Sequence, residues 1–429
     1  MYLPRNTKWS MNRRRRRPNY FGWTIFVLVV LFGYYFNQVY LPTTAMLAGP
    51  TPTETRSPES YATEAESLFK DGKLDQAIEA YQSAIKASPQ DPTLYVALAR
   101  IQVWAGKFED AQKNAENALL LNNANAMAHA VHAWALDFQD GKNGEALKEI
   151  NEALKIDARN AVIESYYVEI LVDSGFDNYT KAADASHVAL QLDENIVESH
   201  RARGYILKVT QNYEEAIREY DAAIKINSKL ALLHMEQGDN YRAISAKDEA
   251  IQEFTLAITL NPSDPEPNYK ISRTYATFGE FSKALQYADT AVQNAPGDAN
   301  YHGNLGVMYF QNLMWPEAVQ ELGLAIFGGK TKDGVEVKGI PLSNSPLVAE
   351  FYFTFGSALA RTNQCGEALQ IVQQLQSKVP TDQIAMDAAN KIIGICQENL
   401  NNPAVNNTST PSSVESPTPT DTETPVPTP

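Results

Sequence analysis

The chain is short of the residues that do chemistry. It has two cysteines and six histidines in 429 residues. No HExxH, GxSxG or GxGxxG pattern occurs, so the usual metallopeptidase helix, nucleophile elbow and dinucleotide turn are missing. Gly329-Lys330-Thr331 has the look of a phosphate-binding loop, but Leu324 stands where such a loop needs glycine. His129 and His132 lie three apart, with no cysteine or carboxylate pair at ligand spacing. No metal and no cofactor are expected. Basic residues are scarce as well: 36 against 51 acidic, a net charge of −15. Seven of the basic residues precede Tyr20 (Arg5, Lys8 and Arg13 to Arg17), which leaves 29 against 51, or −22, for the rest. A body that acidic lacks the basic face that a phosphate backbone requires, so nucleic acid is excluded as a partner.

Charge vanishes altogether from Tyr20 to Leu41. As a helix this run would measure about 33 Å at ~1.5 Å per residue, enough to span a bilayer. Trp23 at one end and Tyr34, Tyr35 and Tyr40 at the other suit the interfacial belts, and the arginines before it point the N-terminus inward. The expectation is a cytoplasmic basic segment (1–19), a transmembrane signal-anchor helix (20–41) and an extracytoplasmic remainder. A cleaved signal peptide, releasing a secreted protein, is the alternative. Against it, Ala45 and Ala48 fit an A-x-A site poorly, with Thr43 and Met46 at the −3 positions. Residues 42–57, rich in Thr, Pro and Ser, read as a flexible stalk, and 401–429 as a disordered tail of the same composition.

Between stalk and tail a period governs the chain. Ala216, Ala250, Ala284 and Ala318 are spaced by 34 residues, and Ala223, Ala257, Ala291 and Ala325 repeat that spacing. A period of this length marks a helix-turn-helix unit stacked on copies of itself. In one unit the first helix is expected over about Leu232 to Ile244 and the second over Lys247 to Leu260, stopped by Pro262. One pair cannot bury its apolar face alone, so several copies are required. Nine units are expected over 58–380, with a capping helix over 381–400. Between Ala318 and Ala368 the period is exceeded by 16 residues, carried by Phe327 to Pro346. Asp333-Gly334 within it signals a turn and Val335 and Val337 alternate with charges, so a hairpin-like insert is expected there.

The residues at the repeat positions resemble the tetratricopeptide repeat (TPR) family, in a membrane-anchored bacterial type. One unit reads Leu305, Gly306, Tyr309, Ala318, Leu322, Ala325; others read Tyr275, Ala284, Ala291, Pro296 and Tyr61, Gly72, Ala77, Tyr81, Ala84, Pro89. The resemblance implies an all-α fold, a right-handed superhelical α-solenoid, whose first helices line a concave groove that binds proteins and catalyses nothing. Carried onto this sequence, it puts Arg201, Tyr205, Lys208, Arg242, Tyr269 and Arg273 in the groove, beside Glu198, Asp239 and Glu266. Those cations suggest an acidic segment or a terminal carboxylate as ligand; a mixed solvated face is the plainer reading. His200, His234 and His302 recur at one repeat position where the family has a bulky residue, which makes them packing residues. Cys365, at the end of the last unit's first helix, and Cys396, in the capping helix that stacks on that unit, are a candidate disulfide; two buried small apolar residues are the alternative.

The function expected is that of a non-catalytic protein-protein interaction scaffold or assembly factor tethered to the membrane. The second reading is a non-catalytic subunit that delivers substrates to a membrane enzyme of cell-wall or glycan synthesis. The partner in the first case is a protein or peptide.

Overall fold

The structure, a computed structural model, describes residues 20–36, 38 and 56–401. The expected basic segment, nearly all of the stalk and the tail beyond Asn401 lie outside the described residues. The chain divides into two compact units, Met1–Ser57 and Pro58–Pro429.

In the first unit, helix α1 spans Tyr20–Tyr35, and its side chains are exposed. At 16 residues it is about 24 Å long, short of the roughly 30 Å of a bilayer core. No helix of the described residues is long and apolar enough to cross a membrane. Of the single spanning helix expected over Tyr20–Leu41, positions 37 and 39–41 lie outside the described residues.

The second unit is a stack of helix pairs. In order they are α2 Pro58–Lys70 with α3 Leu74–Ala87, α4 Pro92–Trp104 with α5 Phe108–Leu121, and α6 Ala126–Asp137 with α7 Asn143–Ile156. Then come α8 Ala161–Asp173 with α9 Tyr179–Leu192, α10 Val197–Val209 with α11 Tyr213–Ile226, and α12 Ala231–Ala243 with α13 Lys247–Leu260. The last three are α14 Glu266–Thr277 with α15 Phe281–Asn294, α16 Ala299–Gln311 with α17 Trp315–Phe327, and α18 Pro346–Arg361 with α19 Cys365–Lys378. Helix α20, Gln383–Asn401, packs on α18 and α19 and closes the end.

The period is written in the packing. Ala216, Ala250, Ala284 and Ala318 are fully buried, as are Ala223, Ala257, Ala291 and Ala325. Each is small because a neighbouring helix passes close by. The same holds for the glycine facing them: a Cβ on Gly238 would lie 2.5 Å from the Phe254 ring. Many first helices begin on an Asp or Asn whose side chain accepts a backbone N–H, as Asp91, Asn125, Asn160 and Asp298 do. The turn inside each unit places one residue at positive φ. Glycine fills it at Gly72, Gly106, Gly141, Gly175 and Gly279, but Gln211, Ser245, Leu313 and Asn363 take it elsewhere. Leu313, at φ 65° and exposed, carries Cβ strain in that conformation. Leu313→Gly is expected to raise stability by about 1 kcal/mol, read as a shift of the thermal midpoint.

The insert folds as an antiparallel hairpin of β1 Gly329–Lys330 and β2 Glu336–Val337. Val337 is buried and Ile340 N–H donates to the Ala325 carbonyl, which pins the hairpin to α17. Gly329, Lys330 and Thr331 therefore belong to a surface hairpin and precede no helix. At the far end Cys365 and Cys396 are disulfide-bonded, with Cα atoms 5.5 Å apart. Cys365 opens α19 rather than closing the first helix of its unit.

Candidate functional site

The first helices stack on one another along the inner side of the solenoid, α4 against α6, α6 against α8, α8 against α10. In units two to five their side chains meet and fill that side. Trp134 and Tyr166 stack with ring centres 4.2 Å apart, and Trp104 meets Trp134 edge-on at 5.6 Å. Both Trp134 and Tyr166 are fully buried. The Arg201 guanidinium lies over the Trp104 ring at 5.3 Å and the Trp134 ring at 5.6 Å, a cation–π pairing out of water. It donates through Nη1 to Glu169 at 2.5 Å, and Trp134 Nε1 donates to the same carboxylate at 2.8 Å. Burial pushes the Glu169 carboxyl above its usual range in spite of Arg201. Arg100, from three units earlier, donates to Glu198 at 2.5 Å.

Arg201 is thus not a groove residue. It is 4 % exposed and serves as the centre of a polar-aromatic plug. The expectation that it meets a ligand is corrected: the inner faces of these units close on each other, and its charge is consumed by Glu169. Glu198, also expected in the groove, is buried beside it.

The remaining expected residues are more accessible, yet they too are engaged. Tyr205 donates to Asp173 at 2.5 Å. Lys208 donates to Glu236 and lies 5.2 Å from the Tyr205 ring. Burial raises the Glu236 carboxyl, and Lys208 and Arg201 more than offset that, so it stays ionised below the usual range. Arg242 and Lys270 share Asp239, at 3.1 and 2.9 Å. Arg273 donates to Glu350 at 2.9 Å. Tyr269 meets Tyr301 edge-on at 5.8 Å, and Tyr301 donates to Glu266. Each of these cations is already neutralised by a carboxylate of the chain, which removes the reason for expecting an acidic ligand.

From Arg242 onward the inner side stays open. A pocket of about 320 Å³ lies there, lined by Arg273, Pro346, Leu347, Glu350, Phe353, Asp382 and Ile384. It joins α14, α18 and the start of α20.

The histidines do more than pack. His200 Nδ1 lies 2.7 Å from Glu219 and Nε2 2.9 Å from the Glu194 carbonyl. His234 repeats this with Glu253 and Ser228, His302 with Glu321 and Pro296, and His129 with Glu149 and Asn123. In His200, His234 and His302 the two acceptors favour protonation of both ring nitrogens, and the pKa of each is raised. Each one ties its first helix to the second helix and to the loop before it. The signal was present in the sequence: a Glu follows His200, His234 and His302 by 19 residues every time. Among the described residues no group of three or more His, Cys, Asp or Glu side chains is placed to hold a metal ion.

Sequence models of the tetratricopeptide repeat match residues 68–135, 178–265 and 269–328. The chain belongs to the tetratricopeptide repeat family. No curated protein matches it. Among solved structures, the TPR stack is similar to a chain of the Cut9-Hcn1 hetero-tetramer of the APC/C, with a TM-score of 0.58 and 14% identity over 74% of this chain. It spans 59% of that chain's length. The human IFIT1 dimer with PPP-AAAA is similar at a TM-score of 0.54 and 15% identity, over 80% of this chain and 83% of that one. At such identities the TPR likeness is one of fold.

Proposed function

We propose that this protein is a non-catalytic interaction scaffold that takes an extended segment of a partner protein along the open part of its inner side. The observation that carries the reading is the division of the first helices. In units two to five they bury their inner residues against each other, whereas from Arg242 to Ile384 they leave side chains accessible around a pocket. A short part of an extended segment fills a cavity of that size, with apolar contact from Leu347 and Phe353 and polar contact from the Arg273–Glu350 pair.

The reading includes a membrane tether and an extracytoplasmic solenoid. Support comes from the uncharged run Tyr20 to Leu41 and the arginines Arg13 to Arg17 before it, and from the apolar side chains that α1 leaves exposed. The TPR stack would then act near the bilayer.

The test is affinity capture with the full-length, detergent-solubilised chain, compared with the double variant Arg242→Glu, Arg273→Glu. A partner held by the first and reduced at least about tenfold by the second, at unchanged helicity, is the expected result. Equal retention by both would remove the open inner side from the function.

A further inference from the structure

The pocket beside Arg273 has its charges satisfied and its apolar wall bare. Arg273 is paired with Glu350 at 2.9 Å, and Asp382 Oδ1 accepts the Ala385 N–H at 3.0 Å in the first turn of α20. What stays open to an occupant is apolar: Pro346, Leu347 and Phe353 of α18, and Ile384 of α20, which is 70 % exposed. Leu347 and Phe353 pack against the second core cluster, so the floor of the pocket is part of the fold. An occupant is therefore held by apolar burial rather than by charge. Helix α20 begins at the pocket and runs 19 residues, Gln383–Asn401, about 28 Å away from it. Residues 402–429 follow. Glu415, Asp421 and Glu423 are their only charges, and Thr424 to Pro429 carry none. About 23 residues separate Asn401 from Pro425. A coil of that length has an r.m.s. span of about 26 Å. That is close to the roughly 28 Å to be retraced, and a tether is most effective when the two match. Pro403-Ala404-Val405, the apolar stretch nearest α20, falls short at about 3.5 Å per residue.

We propose that Pro425-Val426-Pro427 fills this pocket in cis, so that the chain itself occupies its open inner side until a partner segment displaces it. The proposal deepens the scaffold reading and rests on it, by assigning the regulation of that same site. Length and span select the occupant, and the chemistry agrees. The proline rings preset φ at Pro425 and Pro427, so ordering the stretch costs little backbone entropy. Proline and valine bring apolar surface and no charge to Leu347, Phe353 and Ile384. Proline-rich segments dock in grooves lined by aromatic side chains, and Phe353 supplies one here. The tether presents the stretch at an effective concentration on the order of millimolar. A contact of three small residues is weak between separate molecules, yet at that concentration it is occupied. A partner segment has to outcompete it, so weak partners are refused and strong ones admitted.

The experiment uses the full-length chain in lipid nanodiscs, because detergent would compete for an apolar pocket. Its two native cysteines are bonded to each other, so an engineered pair of thiols reports alone. Ile384→Cys with Val426→Cys keeps both positions apolar. The comparison pair is Ile384→Cys with Val414→Cys. The rate of intramolecular disulfide formation in oxidised glutathione is followed by mass spectrometry. A tail that does not dock brings positions 414 and 426 to the pocket at rates within about twofold of each other. Docking is expected to make the Val426→Cys pair at least about tenfold faster. Leu347→Asp, which puts a charge into the apolar wall, is expected to remove that advantage at unchanged helicity. A second reading needs no further variant. A peptide of residues 420–429, added at about 5 mM, is expected to slow the Val426→Cys pair at least about twofold and to leave the Val414→Cys pair as it was. Equal rates for the two pairs overturn the proposal. A Val426→Cys advantage that survives either Leu347→Asp or the peptide overturns it as well, because the tail would then rest elsewhere. Cross-linking needs no partner, so these outcomes judge the tail while the capture experiment judges the scaffold.

Discussion

Arg201→Ala should cost the solenoid about 3–5 kcal/mol, the range for removing one partner of a buried ion pair. The mechanism is specific. Glu169, 2 % exposed, would keep its charge or take up a proton with only the Trp134 N–H as partner. The Trp104 and Trp134 faces would also lose the guanidinium between them. Arg201→Met with Glu169→Gln should recover most of the loss, because a buried pair replaced as a whole leaves no orphan charge. The amide oxygen introduced by Glu169→Gln can still accept from Trp134. Urea unfolding followed by helical circular dichroism measures both. A loss below about 1 kcal/mol for Arg201→Ala would mean that water reaches Glu169 and that no plug exists.

Stability is expected to fall as pH rises from about 6 to 9. Hydrogen bonding to Glu219 raises the pKa of His200; for His234 and His302 burial pulls down, and Glu253 and Glu321 more than offset it. A group whose folded pKa lies above its unfolded value contributes fully below about 6.5 and loses that contribution as pH passes through the folded value. Asp137 acts in the same sense. Burial, then the Asp173 and Glu169 carboxylates, push it up to about 9. Between about 4 and that value the folded chain holds a proton that the unfolded chain has released, so stability drops with rising pH by up to about 1.4 kcal/mol per unit. Asp137→Asn removes this dependence and should raise the thermal midpoint at pH 8.5 while changing it little at pH 5. A parent midpoint that is flat from pH 6 to 9 would contradict both contributions.

Much of this fold is legible in the residues alone. A helix expected over Lys247 to Leu260 has those bounds, and Leu232 to Ile244 is displaced by one residue to Ala231–Ala243. The paired alanines mark where helices touch, and touching is a local consequence of side-chain size. The site was less legible. Arg201 looks like a groove cation because its own helix says so. Its partner, Glu169, lies 32 residues away, and only the closeness of successive first helices brings it in. A period states that helices recur, not how tightly their inner faces wind together. The excess of 16 residues announced the hairpin, since Asp333-Gly334 had no helical use.

The core is not continuous along the stack. One buried cluster runs from Ala65 to Leu233 and another from Ala284 to Cys396. Between them lies a small cluster of Met235, Ala250, Phe254, Ala257 and Ile271. There the buried neighbours are Gln237, Asn240, Asn268, Ser272 and Thr274, and polar contacts such as Asn304 to Ser272 at 3.1 Å join the helices. A rod with a thin middle section bends where it is thin. Hydrogen bonds tolerate a change of angle less than apolar packing does, but few of them must be remade here. Load applied to the two ends would concentrate at α12 to α14, making this stretch an elastic joint between a stiff plugged half and an open half.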